Sequence, residues 1–253
     1  MLNRNTVVAL VVFMTMVFGA TSAMATESGG NTAVVTAIQG TAWIYTKGVT
    51  TELLLKKGDR VTKNHEIAVD AKSRIELQFP DGTAMRLSEK SRLKMSELAY
   101  DNQTHSKKLK VNFSLGKLWL KVKKLRTADS FVEVRTANAV AGVRGTVYRV
   151  NVDEDKSALV KVYDGSVYVA NPPRDASKPV DALTMPHEVS GPHEVPPPVH
   201  EVSMEEWTVI VKAMQQVIIS PQGVASKAQD FDPKADADEW VLWNQERDKE
   251  TSL

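Results

Sequence analysis

Three tandem units hold the residue types from which a catalytic or metal site could be made: His187-Glu-Val, His193-Glu-Val and His200-Glu-Val, with three of the five histidines. Imidazole beside carboxylate suits metal ligation or acid–base work. The spacing argues against both. A zinc-binding H-E-x-x-H needs a second imidazole one helical turn on, and Gly191 stands at that place after His187. Prolines interrupt the run, so no helical register aligns ligands. A drifted duplication within a linker accounts for it, and neither metal nor cofactor is assigned.

The second cluster is cationic. Lys107, Lys108, Lys110, Lys117, Lys121, Lys123, Lys124 and Arg126 crowd one short stretch. Period-two alternation places Lys108, Lys110, Lys117, Trp119, Lys121 and Lys123 on an outward face. Such a face suits an acidic partner: envelope phosphates or an acidic protein patch, with Trp119 as sugar or protein contact. A lysine row also keeps exposed strands from pairing edge to edge. Other chemistry finds no foothold. There is no G-x-S-x-G, no phosphate-cradling loop and no dinucleotide fingerprint. Asp81 and Asp164 precede turn glycines. With no Cys, disulfides, thiolate nucleophiles and thiolate metal sites are excluded. The reading is non-enzymatic.

The elements that carry these residues are mostly strands. Arg4, the apolar run Val7–Phe18 and Ala23-Met-Ala25 form a secretory signal peptide over residues 1–25, cleaved after Ala25. The chain is therefore expected in the periplasm or secreted, with no membrane span after cleavage and no nucleic-acid partner. Residues 26–32 read as a disordered start. Residues 33–170 read as short strands and hairpins of an elongated two-sheet β body. Ser157–Ala170, turning at Asp164-Gly165, is the clearest hairpin, and Leu109–Val122, turning at Gly116, is the basic one. A loose repeat runs through the body: Gly40-Thr-Ala-Trp43, Gly82-Thr-Ala-Met85, Gly116-Lys-Leu-Trp119, Gly145-Thr-Val-Tyr148 and Gly165-Ser-Val-Tyr168. Each copy reads as a turn glycine entering a strand.

Residues 171–203 hold eight of the eleven prolines and read as a semi-rigid linker. Residues 204–253 read as two α-helices. The first is capped by Ser203 and Glu206 and carries Trp207, Ile210, Val211, Met214, Val217 and Ile218 to Pro221. The second opens at Asp236-Ala-Asp-Glu239. Trp207, Trp240 and Trp243 give this tail a docking surface. The fold class is thus mainly β, followed by a Pro-rich linker and two helices.

At Ala139-Val-Ala-Gly-Val-Arg-Gly-Thr-Val-Tyr-Arg-Val150 the chain resembles the FecR domain, the periplasmic module of iron-transport sigma-factor regulators. Gly142, Arg144, Gly145 and Thr146 match the family motif. Leu55-Lys-Lys-Gly-Asp59, Leu77-Gln-Phe-Pro-Asp-Gly-Thr83 and Phe131-Val-Glu-Val-Arg-Thr136 extend the likeness over Val34–Ala170. The resemblance implies an all-β module working through protein contacts. The four motif residues are assigned to the fold, with Arg144 pairing with a carboxylate or capping carbonyls. Regulators of this kind carry a cytoplasmic anti-sigma segment and a membrane span ahead of the domain, whereas a signal peptide precedes it here. A free-standing secreted member is expected, acting on an unidentified envelope protein. The alternative is an envelope-polymer binding module using the basic face.

Overall fold

The chain repeatedly passes between two facing sheets. The computed structural model describes residues 29–46, 48, 52–172 and 207–250. The signal peptide, most of the Pro-rich stretch with its His-Glu-Val units, and the Ser203–Glu206 cap lie outside these. The strands are β1 (Ala33–Gln39), β2 (Ala42–Thr46), β3 (Leu53–Leu54), β4 (Arg60–Val61), β5 (His65–Val69) and β6 (Arg74–Gln78). Then come β7 (Ala84–Leu87), β8 (Arg92–Tyr100), β9 (Lys107–Lys121), β10 (Phe131–Arg135), β11 (Val140–Val143) and β12 (Val147–Val152). The last are β13 (Ala158–Asp164), β14 (Ser166–Ala170), β15 (Thr208–Lys212), β16 (Gln215–Ile219) and β17 (Gln229–Asp230), before helix α1 (Glu239–Glu250).

One sheet runs β4-β1-β6-β7-β9-β12-β13-β16-β17. The other runs β3-β2-β5-β8-β9-β10-β11-β14-β15, antiparallel except for β9–β10. We call them the first and second sheet. Between them lies a continuous apolar core, including Val35, Leu77, Leu87, Val111, Phe113, Leu118, Val150, Val160, Val169 and Val217. The mainly β, two-sheet reading holds.

Strand β9 belongs to both sheets and corrects the basic hairpin. Its N-terminal part pairs with β8 and β10, and from Gly116 onward it pairs with β12 and then β7. The buried phase switches there from odd to even numbers: Leu109, Val111 and Phe113, then Leu118 and Leu120. A turn would give that switch, but so does crossing from one sheet to the sheet facing it. Gly116 has φ +99°, and a Cβ would lie 2.2 Å from Ser91 Oγ, so the corner admits only glycine.

The Asp164-Gly165 turn is corrected in the same way. β13 and β14 do not pair with each other; they lie in opposite sheets. Gly40, Gly116, Gly145 and Gly165 thus mark passages between sheets, while Gly82 closes a true hairpin of β6 with β7. The corners stack. A Cβ on Gly145 would lie 2.9 Å from Lys124 Cα, and one on Gly165 would lie 2.8 Å from the Gly145 carbonyl oxygen. The Thr146 hydroxyl donates to the Ser166 carbonyl (2.9 Å).

Two expectations about the ends change. Gly29–Asn31, expected within the disordered start, forms a short 3-10 turn seated against β8. The first C-terminal helix is not formed: β15 and β16 occupy its place, each adding a strand to one sheet. Its apolar residues satisfy period two as well as period 3.6. Val211, Val217 and Ile219 are buried while Ile210 and Ile218 are exposed. The β-branched runs Val209-Ile-Val211 and Val217-Ile-Ile219 favour strands, and Met214 makes the turn at φ +63°. The second helix forms as α1, with the Asp238 carboxylate accepting from the Val241 amide (2.8 Å) as N-cap.

Candidate functional site

The outer face of the first sheet carries a transverse row of polar and aromatic side chains. Register places Glu76 beside Arg86, Arg86 beside Trp119, Trp119 beside Arg149, and Arg149 beside Lys161. Each stands at the outward position of its strand, between core residues such as Ile75/Leu77 and Leu118/Leu120. Outward does not mean solvent-exposed here. Arg86 and Trp119 are 0% exposed, Glu76 1% and Arg149 4%. The segment Phe231–Glu250 crosses this face and covers it.

Two carboxylates anchor the segment. Asp236 accepts from Arg149 Nη2 (2.8 Å), Lys161 Nζ (2.6 Å) and Tyr163 Oη. Asp248 accepts from Arg86 Nη1 (2.6 Å) and Trp119 Nε1 (3.0 Å), while its carbonyl accepts from Lys121 Nζ. Arg247 reaches Glu76 (2.6 Å), which also accepts from Arg86 (2.6 Å) and from the Thr36 hydroxyl (2.6 Å). Rings fill the space between. Trp119 packs on Tyr163 with centroids 4.5 Å apart, Tyr163 meets Phe231 edge-on, and Trp240 stacks on Trp243. The Arg74 guanidinium lies over the Trp243 ring at 4.7 Å.

Proton equilibria follow this geometry. Burial alone would raise the Glu76 carboxyl, but donors from Arg247, Thr36 and Arg86 outweigh it and hold the pKa at about 2. Asp236 behaves likewise: burial raises it, and Lys161, Tyr163 and Arg149 bring it below the ordinary carboxylate value. Burial pushes Tyr163 and Tyr148 strongly up. Burial lowers Lys121, with Asp248 opposing.

The residues singled out from the sequence scatter. Trp119 is buried under the C-terminal segment and is not a surface contact, because the alternation that put it outward could not show what covers it. Lys110 faces Glu133 at 3.9 Å, Lys117 pairs with Asp238 at 3.3 Å, and Lys121 serves the segment. Lys108 is half-buried and Lys123 exposed. Lys107 is buried, held by Asp81 (2.9 Å) and the Thr83 hydroxyl (2.6 Å), and burial lowers its pKa. Trp207 packs against the core and donates to the Gly223 carbonyl (2.7 Å). Trp240 and Trp243 join the aromatic group over the first sheet. Of the motif residues, Gly142 lies in β11 and Gly145 and Thr146 form the stacked corner. Arg144 is exposed rather than locked into a carboxylate or a carbonyl cap, because the corner turns its side chain out of the small-residue packing.

Sequence reasoning missed Glu76, Arg86, Arg149, Lys161, Asp236 and Asp248. The signal was present in part, as charged or aromatic residues at the middle outward position of several strands. Among the described residues, no three His, Cys, Asp or Glu side chains are grouped to hold a metal, and no helix is long and apolar enough to cross a membrane.

Comparison with known proteins bears out the resemblance drawn from the motif. The family model described as FecR protein matches residues 65–168. No curated protein matches significantly. Two crystal structures of a "putative anti-sigma factor" from Parabacteroides distasonis ATCC 8503, at 1.65 and 2.50 Å, are each 20% identical, with TM-score 0.44. Each alignment covers 67% of this chain and 61% of that one, so it spans less than two thirds of the relative.

Proposed function

We propose that this chain, whose residues 65–168 match FecR, is a non-enzymatic envelope protein that works by binding another protein, in a signalling context. One observation carries the reading. The principal charged and aromatic face of the FecR-matched region, from Glu76 through Trp119 to Lys161, is engaged by polypeptide through paired carboxylates and stacked rings. Such a surface, with its carboxylates and rings engaged by chain rather than by a small molecule, suits recognition of protein. The N-terminal sequence supports export, with cleavage after Ala25 by a signal peptidase. Intact-mass measurement of exported protein starting at Thr26 is the expected result. Retention of earlier residues would remove the free periplasmic or secreted state.

The test of partner binding is capture from envelope extract with the mature chain as bait. A protein retained above a bait-free control, and lost when bait is heat-unfolded, is expected. Recovery of nothing specific would overturn the reading.

A second reading is favoured by one feature. A cleft of about 470 Å³ is lined by Tyr100, His105, Lys123, Lys124 and Arg126 together with the Lys107–Asp81 pair, and its excess of cations suits an anionic envelope polymer such as peptidoglycan or lipopolysaccharide. Binding of lipopolysaccharide that weakens across a salt series, and is lost in Lys123→Glu/Lys124→Glu, would support it. Salt-insensitive binding, or none, would exclude it.

A further inference from the structure

We propose that the C-terminal segment Phe231–Glu250 is a displaceable cover, and that the face beneath it docks an acidic peptide segment of a partner protein. The inference rests on the protein-binding reading above and assigns that binding to one face.

The chemistry of the occupant is displayed by what now sits there. The sheet face presents Arg74, Arg86, Lys117, Lys121, Arg149 and Lys161, with Glu76 as the acid in the row. The covering segment, residues 231–250, holds seven acidic and three basic residues. Its two anchors are carboxylates, one on Arg149, Lys161 and Tyr163, the other on Arg86 and Trp119. Strands are spaced about 4.8 Å apart, so the two carboxylate sites lie roughly 10 Å apart across the sheet. A partner segment with two carboxylates at that separation and an aromatic ring between them reproduces the contact.

Three observations mark the cover as removable. Its apolar hold is small beside the main core, which lies on the other side of the sheet: Trp240 (7% exposed) and Val241 (0%) are buried against Trp119 and Tyr163, with Phe231 and Trp243 partly buried, and ion pairs supply the rest. The contact is also incompletely satisfied. Arg86 Nη2, Arg149 Nε, Trp240 Nε1 and Asn244 Oδ1 are buried without a hydrogen-bond partner among the protein atoms. Buried polar atoms left this way are unfavourable, and two of them, Arg86 Nη2 and Arg149 Nε, belong to the sheet face, where the carboxylates of a differently shaped acidic segment could accept from them. Finally, the segment leaves the body through the two-residue β17 and an exposed loop in which Val224 is 65% exposed. Lifting it breaks no strand pairing of β1–β16.

The test uses the full chain and a fluorescein-labelled peptide with the sequence of residues 231–250. The cover competes with the probe in the unaltered chain. Releasing it with Asp236→Asn/Asp248→Asn is expected to tighten probe binding at least 10-fold, and a probe with those two aspartates changed to Asn should bind neither protein. Equal affinity for both proteins overturns the proposal. Native-state hydrogen exchange on the unaltered chain provides a variant-free measurement and decides alone if the double variant does not fold. Amides of 239–250 are expected to exchange through an opening that leaves β9 and β12 protected. Exchange of all three only together overturns the proposal. A dimer of the unaltered chain in sedimentation that the double variant does not form would assign the face to cover exchange between copies and would also overturn it. None of these failures touches capture from envelope extract, which judges the protein-binding reading separately.

Discussion

Replacing Arg86 with Met tests whether the sheet face is held by a buried charge network. Arg86 is 0% exposed and lies between Glu76 and Asp248, 2.6 Å from each. Met keeps most of the volume and removes the charge. Glu76, 1% exposed, then keeps Arg247 at 2.6 Å, but that guanidinium is 26% exposed and cannot replace the lost donor. Breaking a buried pair from one side costs about 3–5 kcal/mol because an uncompensated charge stays behind. The surviving Arg247 contact argues for the lower end, about 3 kcal/mol. For a chain of this size that corresponds to a fall in Tm of roughly 6–12 °C. Urea unfolding followed by tryptophan fluorescence measures it, since Trp119, Trp240 and Trp243 all adjoin the site. The companion Glu76→Gln/Arg86→Met should lose less than the sum of its single variants, because the stranded carboxylate is gone. A loss below about 1 kcal/mol for Arg86→Met, or strict additivity in the pair, would refute the argument.

Three further outcomes follow from the same structure. Gly145→Val forces a β-branched residue to φ +106° with its Cβ 2.9 Å from Lys124 Cα; a loss of about 2–4 kcal/mol is expected, and an unchanged melting temperature would show that the corner is not tight. Glu76 has a folded pKa of about 2 against an ordinary 4.5, so its contribution is present above about pH 4.5 and is lost as pH falls through about 2. Stability measured over that range should drop by at most about 3 kcal/mol from this group, and Glu76→Gln should flatten the drop. Trp119→Ala removes a 0%-exposed ring packed on Tyr163; it should cost about 3–5 kcal/mol, and a loss under 1 kcal/mol by urea unfolding would mean that the C-terminal segment does not pack there.

Local signals in the sequence were read well where the physics is local. Gly40, Gly82, Gly116, Gly145 and Gly165 all have positive φ and all turn the chain just before a strand or, at Gly116, before the second part of one, as the repeat suggested. Asp238 caps a helix that begins where the acidic run placed it. Sheet membership is different. Whether Gly165 closes a hairpin or turns between sheets depends on which strand arrives beside β13, and that strand is β16, more than fifty residues on. Trp207–Ile219 fits two periodicities, and open places at the sheet edges select the strands. Trp119 shows the limit most sharply. Alternation told correctly that it faces away from the main core. It could not tell that Asp248, 129 positions away, would accept from its indole.

The junction between β14 and β15 carries one more consequence. Asn171 and Trp207 face each other there: the Asn171 amide donates to the Trp207 carbonyl (3.4 Å), and the Trp207 amide donates to the Asn171 side chain (2.5 Å). The Pro-rich stretch therefore leaves and re-enters the same sheet at neighbouring positions. It is an insertion in a hairpin rather than a tether to a separate tail. The entropic cost of closing such a loop grows only with the logarithm of its length. Length and composition there can thus vary without disturbing a strand. Excising residues 173–206 in favour of a short turn would leave β14 paired with β15, and the body would keep its architecture.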